Sequence, residues 1–528
     1  MRTRRLPNVK RWFHLLVVAG LLAVALAVRI DGITRPSLES RELHNALIAR
    51  QYYLGDGTGL PAWKRNVLRE LGEVVKPIEP PILDHLAASA FRLTGGEDLW
   101  VPRLISGLMW LLGGVFLYLI AVRLTTRAGA VVTLALYLFW PYGAFISRLY
   151  MPDATMIALM LGASLAVLRY WEAPSFARLG AAGAASGLAT VVKPGVAILF
   201  LAPLFIALAT SKRELVDVLA RGRLAFFVAL ALLPSVVYYV YGTHVRDFLS
   251  GESEGRVEPS LIATAWFWRG WWEMVSIILA FPQHQQSLAL LPIAAAFAGV
   301  LVARGTARAV LVGLGLGYIA FAVTFTSHVP SHPYYSLPLI PILALAIGIL
   351  AGALLDRLGA RARIGQTVLV GFVAFAVGVA AFKSHAVLAS ASPEAERQIA
   401  DYRRIGELTG HTTRAIAVDV RLRSPMSYWG WMVARYWYPP TPANDLPDSG
   451  DPFPPRIDPA EFDFLVVVEM SELETEPRLR QVGREGHDAL RVHARIREQR
   501  RERRPQPGLG LGVVPRPNRR PHPAIGVL

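Results

Sequence analysis

Residues 101–121 read VPRLISGLMWLLGGVFLYLIA, with Arg103 as their only charge and Arg123 just beyond. At 1.5 Å per helical residue such a run crosses about 30 Å of hydrocarbon. One run of this kind is a membrane helix, and the number of others decides the fold. Comparable apolar runs lie at 12–28, 128–146, 153–169, 177–192, 195–210, 222–242, 287–303, 308–326, 335–355 and 365–382. With 101–121 that makes eleven candidate spans. The two beside Lys193 are short enough to be a broken pair.

Composition agrees. The 528 residues are 53% hydrophobic and 18% charged, with 13 Trp, and the mean hydropathy is +0.38. That is too apolar for a soluble chain of this length. The formal charge of +16 would suggest nucleic acid in a soluble protein. In a membrane protein it reads as Lys and Arg held against anionic lipid on the cytoplasmic side, with no nucleic-acid partner. There is no cysteine, so disulfides and thiolate metal sites are excluded.

Loop charges orient the spans. With Arg2, Arg4, Arg5, Lys10 and Arg11 cytoplasmic, the inside loops contain Arg123 and Arg127; Arg169 and Arg178; Lys212, Arg213, Arg221 and Arg223; Arg304 and Arg308; and Arg357, Arg361 and Arg363. The short outside loops hold only Arg148 and Lys193, with no Lys or Arg between Phe325 and Tyr335. This alternation predicts a multi-pass inner-membrane protein, N-terminus inside and C-terminal region outside. Ala25-Leu26-Ala27 resembles a processing site, but a polytopic chain normally keeps its first helix, and the topology is the same either way.

Residues 1–383 thus form the membrane domain. It includes a first outside loop at 31–98, whose helix is expected to start with Ser40 as cap, and a second at 244–286. Trp266, Trp268, Trp271 and Trp272 in that second loop read as an interfacial anchor. Residues 384–497 are expected to form a small outside α/β domain, with a helix over 392–407 (Ser392 as cap, Pro393 first) and buried strands at 415–420 and 464–468. The Arg- and Pro-rich stretch 498–528 has no periodicity and reads as disordered.

Span interiors are almost free of ionisable residues; His14 and Arg103 sit near span starts. The polar groups gather at the outer mouths, in ESRELHNALIAR (39–50), VVKPIEPP (74–81), SRLYMPD (147–153), VVKPG (191–195) and SHPYYSLP (331–338). On the topology above, all five share one side of the membrane.

In order and spacing, over roughly residues 10–385, these motifs resemble the GT-C superfamily of membrane glycosyltransferases, closest to the protein O-mannosyltransferase (PMT) and aminoarabinose-transferase-like group. The resemblance implies an eleven-helix GT-C domain and a sugar donor carried on polyprenyl phosphate. It also implies an acidic base in the first outside loop. That position matches Glu39, where the family usually has Asp; one more methylene moves the carboxylate by about 1 Å, enough to matter for geometry. Glu42 is the second choice. Arg41 matches a basic residue common in relatives. The acceptor would be an envelope lipid, a glycan or a protein.

Chemistry then distributes the other roles. Inverting transfer needs a base for the acceptor hydroxyl and fixed positive charge for the departing phosphate. Arg148 and Lys193, at outer helix ends, are expected to supply that charge. Glu79 would hold acceptor or sugar hydroxyls, and His332 and Tyr334 would line the sugar or phosphate site. Each has a structural alternative. Glu39 and Glu42 could pair with Arg41 and Arg50, Arg148 could pair with Asp153, Lys193 could snorkel, and His332 and Tyr334 could anchor a helix. Arg29, Asp31 and Arg103 read as helix-end anchors. The scattered carboxylates specify no metal site and no cofactor is expected, with a single divalent cation at Glu39 or Glu42 left open. Two other classes compete: a transporter or flippase, which would carry midplane charges and broken helices in two halves, and an assembly protein acting through its outside domain.

Overall fold

The computed structural model describes residues 8–193, 195–245, 257–280, 286–358, 362–418, 423–436 and 462–467. The stretch expected to be disordered at 498–528, and 437–461 and 468–497 of the expected outside domain, lie outside the described residues. The chain opens with α1 (Asn8–Ile30), then α2 (Ser40–Leu54), α3 (Ala62–Val74) and α4 (Ile82–Thr94) of the first loop. The helices α5 (Trp100–Leu124), α6 (Arg127–Phe139), α7 (Pro141–Ile146), α8 (Pro152–Glu172), α9 (Phe176–Val192) and α10 (Val196–Ser211) follow. Next come α11 (Leu215–Ala220), α12 (Arg223–Val240), α13 (Ala265–Leu279), α14 (Leu290–Val302), α15 (Thr306–Thr324), α16 (Leu339–Leu358) and α17 (Ala362–Leu408). The last elements are β1 (Ala415–Val418), α18 (Arg423–Gly430), β2 (Ala434–Tyr436) and β3 (Phe464–Val467).

All eleven apolar runs lie on helices. Among the described residues, five helical stretches are long and apolar enough to cross a bilayer: Trp100–Leu124, Pro152–Glu172, Arg223–Val245, Thr306–Thr324 and Pro333–Leu358. Five more are shorter and apolar: His14–Ile30, Arg127–Phe139, Phe176–Val192, Val196–Ser211 and Gln286–Val302. The run at 128–146 is not one helix. Pro141 has no N–H to continue the ladder, Trp140 turns out to φ −58°, ψ 123°, and α7 restarts after it.

One apolar core joins the bundle, with α10 on α15, α6 on α16, α8 on both α5 and α9, and α9 on α12. The α6–α16 contact is backbone to backbone: a Cβ on Gly348 would stand 1.9 Å from Thr133 Oγ1, and one on Gly129 2.4 Å from the Gly348 carbonyl. Small residues allow that approach where no hydrophobic force drives helices together.

The C-terminal segment forms a parallel sheet of order β2-β1-β3. The expected strands appear, and β2 is an addition. The separate helix expected at 392–407 does not: α17 runs unbroken from Ala362 through Pro393 to Leu408. A proline removes one backbone bond without forcing a stop, and Ile399, Tyr402 and Ile405 beyond it pack on the sheet. This unit grips the first loop. Trp429 Nε1 donates to the Ser37 carbonyl at 2.9 Å, and Arg50 donates to the Tyr428 carbonyl while lying 4.1 Å from the Trp431 ring centroid.

Candidate active site

The N-cap of α2 and its first turn begin the site. The helix starts one residue earlier than expected in its cap. Glu39, at φ −66°, ψ 113°, is the N-cap residue, and its side chain does not cap its own helix. Its N–H donates to Ser37 Oγ instead. Three residues on, Glu42 faces inward and is fully buried. Arg103 clamps it with two parallel bonds of 2.8 Å, the Tyr150 amide donates to it at 3.0 Å, and Ser37 adds a hydroxyl. Burial opposes its ionisation, but Arg103 and these donors hold its carboxyl below the usual range. Arg103, expected as a helix-end anchor, is therefore the buried partner of Glu42; its Nη1 also bonds the carbonyls of Ile33 and Arg35.

Arg41 points the other way and pairs with Glu79, both side chains still partly accessible (20% and 14%). Pro77, Pro80 and Pro81 shape the loop that presents Glu79; a residue before proline is held extended. Burial works against the charge of Arg41, but Glu79 first, then Tyr334 and Asp153, raise its pKa above the ordinary value. Lys76, from the same motif, pairs instead with Glu73 at the surface.

Asp153, in the first turn of α8, accepts from Lys193 at 2.7 Å, both nearly buried. The pairing considered in the sequence, Arg148 with Asp153, is absent. Lys193, at the C-cap of α9, has its Nζ 4.3 Å from the Tyr335 ring centroid and 5.4 Å from that of Tyr334. His332 stands edge-on to Tyr334, centroids 5.4 Å apart. Burial, then Lys193, lowers its pKa to about 4, so its ring is neutral at physiological pH. Tyr142 of α7 feels the charges of both Asp153 and Glu39, which puts Glu39 at the edge of the same group.

So Arg41, Glu79, Asp153, Lys193, His332 and Tyr334 converge, and Glu39 lies close enough for its charge to act on Tyr142 beside them. Arg148 does not join them. The charges acting on it are Asp31, Arg103 and Arg35, and burial lowers its pKa to about 10. Glu42 is saturated in the wall between.

Sequence reading missed Asp84. It sits buried in the first turn of α4 and accepts the Tyr150 hydroxyl. Burial raises its pKa to about 6 against the Tyr150 bond, and Glu79 raises it further. Its one signal was a lone Asp on the apolar face of an amphipathic helix. Tyr150 is held on three sides: its amide by Glu42, its carbonyl by Asn45, its hydroxyl by Asp84. That fixes the turn leading into Asp153. The Trp-rich α13 bears on the site from another direction. Trp271 Nε1 donates to Tyr318 at 2.9 Å, and Tyr318 donates to Ser336, two residues past Tyr334.

Residues 78–239 match the family described as Dolichyl-phosphate-mannose-protein mannosyltransferase. The match includes Glu79, Asp84, Asp153 and Lys193 and stops short of α2. The fold is similar to that of ArnT from Cupriavidus metallidurans bound to undecaprenyl phosphate, at 18% identity and TM-score 0.54, covering 79% of this chain and 85% of that one. It is similar also to ArnT from the same organism in the apo state, at 20% identity and TM-score 0.54, covering 81% and 86%. No curated protein sequence matches. The chain is thus a multi-pass membrane protein of GT-C fold that resembles the PMT- and ArnT-like glycosyltransferases.

Proposed function

We propose that this protein is an inverting glycosyltransferase that moves a sugar from polyprenyl phosphate to an acceptor hydroxyl on the outer face of the cytoplasmic membrane. One observation carries the reading: charges from four distant segments meet in a single group, buried at Asp153 and Lys193 and partly open at Arg41 and Glu79, within electrostatic reach of Glu39. The ArnT structure with undecaprenyl phosphate supports the donor class by similarity of fold. The gathering of ionisable residues at one end of the helices favours interfacial chemistry over transport, which needs them near the midplane.

In this reading Glu39 takes the acceptor proton as the acceptor oxygen bonds to the anomeric carbon. The bond from that carbon to the phosphate oxygen breaks with its electron pair, and polyprenyl phosphate leaves with one more negative charge. Arg41 and Lys193 meet that charge. Each spends donors on a carboxylate, Glu79 or Asp153, and has others left for phosphate oxygens. The carboxylates keep the cations in place before substrate arrives, which is where preorganisation lowers the barrier. Neutral His332, with Tyr334, offers hydrogen bonds to sugar hydroxyls without repelling the cations. We keep Arg148 out of the phosphate site because none of the charges acting on it belongs to this group. The eleven crossings, with the N-terminus cytoplasmic, belong to the same proposal.

The test is transfer of radiolabelled sugar from a set of polyprenyl-phosphate sugars to endogenous acceptors in membranes carrying the protein or its Lys193→Gln variant. The reading expects at least one donor to be consumed by the parent and not by the variant. If the parent consumes none, the reading fails.

A further inference from the structure

A second group of cations lies apart from the transfer site, at the C-terminal end of α1. Arg29 is satisfied, donating to Ser147 Oγ at 2.9 Å and to the Ala25 and Leu138 carbonyls at 3.0 Å. Arg103 is satisfied by Glu42 and two carbonyls. Arg148 is not. The residue is 6% exposed, and its Nη1 is sealed from solvent with no hydrogen-bond partner. Arg35, which acts on it electrostatically, has a sealed Nη1 in the same condition. Four guanidinium groups meet two carboxylates here, and Glu42 is already spent on Arg103. Asp31 is the one carboxylate whose charge supports Arg148.

Buried charged donors are almost always bonded, because leaving them bare costs their full desolvation. Two bare guanidinium nitrogens in a cationic pocket therefore mark the place of an anion. We propose that Arg35 and Arg148 form a phosphate-binding site between the turn after α1 and the turn after α7, separate from the transfer site. A phosphate fits better than a carboxylate, since its additional oxygen can serve both forks together. The group could be borne by an anionic phospholipid or arrive as a soluble phosphate. This inference does not rest on the transferase reading.

The test is thermal unfolding of the purified full-length chain in neutral detergent. Inorganic phosphate is titrated first, then bicelles containing phosphatidylglycerol against bicelles of phosphatidylcholine alone. A bound anion raises the midpoint in proportion to its occupancy. Parent protein should be stabilised by inorganic phosphate, which assigns a soluble ligand, or only by phosphatidylglycerol, which assigns a lipid headgroup. Arg148→Gln and Arg35→Gln should each weaken that effect roughly 10- to 100-fold in concentration, Arg148→Lys should weaken it less, and Lys193→Gln should retain it. If Arg148→Gln does not fold, Arg35→Gln and Arg148→Lys give the same answer. The site is overturned if neither probe stabilises the parent, if both glutamine variants respond like the parent, or if Lys193→Gln alone loses the response.

Discussion

Arg41 and Glu42 are consecutive in α2, each forms an arginine–carboxylate pair across the loop, and the two pairs do opposite things. Glu42–Arg103 is sealed: both carboxylate oxygens and most of the guanidinium are spent, and Glu42 has no exposed surface. Arg41–Glu79 stays partly open and lies among Asp153, Tyr334 and Lys193. A saturated buried pair has nothing left for a substrate and serves to fix the backbone around it. An open pair with unspent donors can exchange partners. Neighbouring positions on a helix diverge by about 100°, so one turn of α2 presents a sealed pair on one side and a partly open one on the other.

The largest effect that sharpens this contrast is on stability. Arg103→Leu strands Glu42 in the interior, and removing one partner of a buried pair costs about 3–5 kcal/mol. Thermal unfolding or the yield of folded protein in detergent reads that loss. A loss under 1 kcal/mol would mean that the pair is not the keystone described.

On the open side, Arg41→Gln and Lys193→Gln should cut turnover by about 10²–10³-fold, the usual cost of removing a donor to developing charge. Folded yield should suffer less than in Arg103→Leu. Loss of fold without a specific loss of turnover would move these residues to the architectural side.

Asp84 gives a smaller, pH-dependent effect. Its pKa is about 6 folded against an ordinary 3.8, so the folded state binds the proton more tightly. The stability from this group is full below about pH 4 and lost as pH rises through 6. Asp84→Asn keeps a neutral, hydrogen-bonding side chain beside Tyr150, and should flatten the fall in unfolding temperature between pH 4 and 7. Parent and variant curves that stay parallel would contradict the buried, protonated Asp84.

The smallest effect is at the C-terminal grip on the loop. Trp429→Phe removes one hydrogen bond to Ser37 and should cost about 1 kcal/mol, read by the same unfolding measurement.

The bundle was legible because apolar length and loop charge are local properties of a sequence. The eleven runs fall on helical segments, 128–146 on two of them, and each of the five polar motifs gives at least one residue to the group, while Glu42, Lys76 and Arg148 stay out of it. What could not be read was which charge faces which. Glu42 is 61 residues from Arg103, and Asp153 is 40 from Lys193. No periodicity encodes such partners, so Arg103 read as an anchor, and Arg148 was the nearest partner the sequence could offer Asp153 as an alternative to a substrate role. Asp84 was passed over because a single acid in the first turn of a helix is ordinary there. Pro393 gave the opposite error. Its preference for a helix start is real, yet the packing of Ile399 and Tyr402 on the sheet carries the helix past it.

The central claim is that Glu39 works on the open side while Glu42 holds the wall, and one paired measurement tests it. Glu39→Gln and Glu42→Gln are compared for sugar transfer and for thermal unfolding under the same conditions. The account predicts that Glu39→Gln unfolds within about 0.5 kcal/mol of the parent and transfers about 10²–10⁴-fold more slowly. Glu42→Gln should instead be destabilised by several kcal/mol, with its activity falling in step with its folded fraction. A Glu39→Gln protein at the parental rate beside a stably folded but inactive Glu42→Gln would contradict the account and make Glu42 the base.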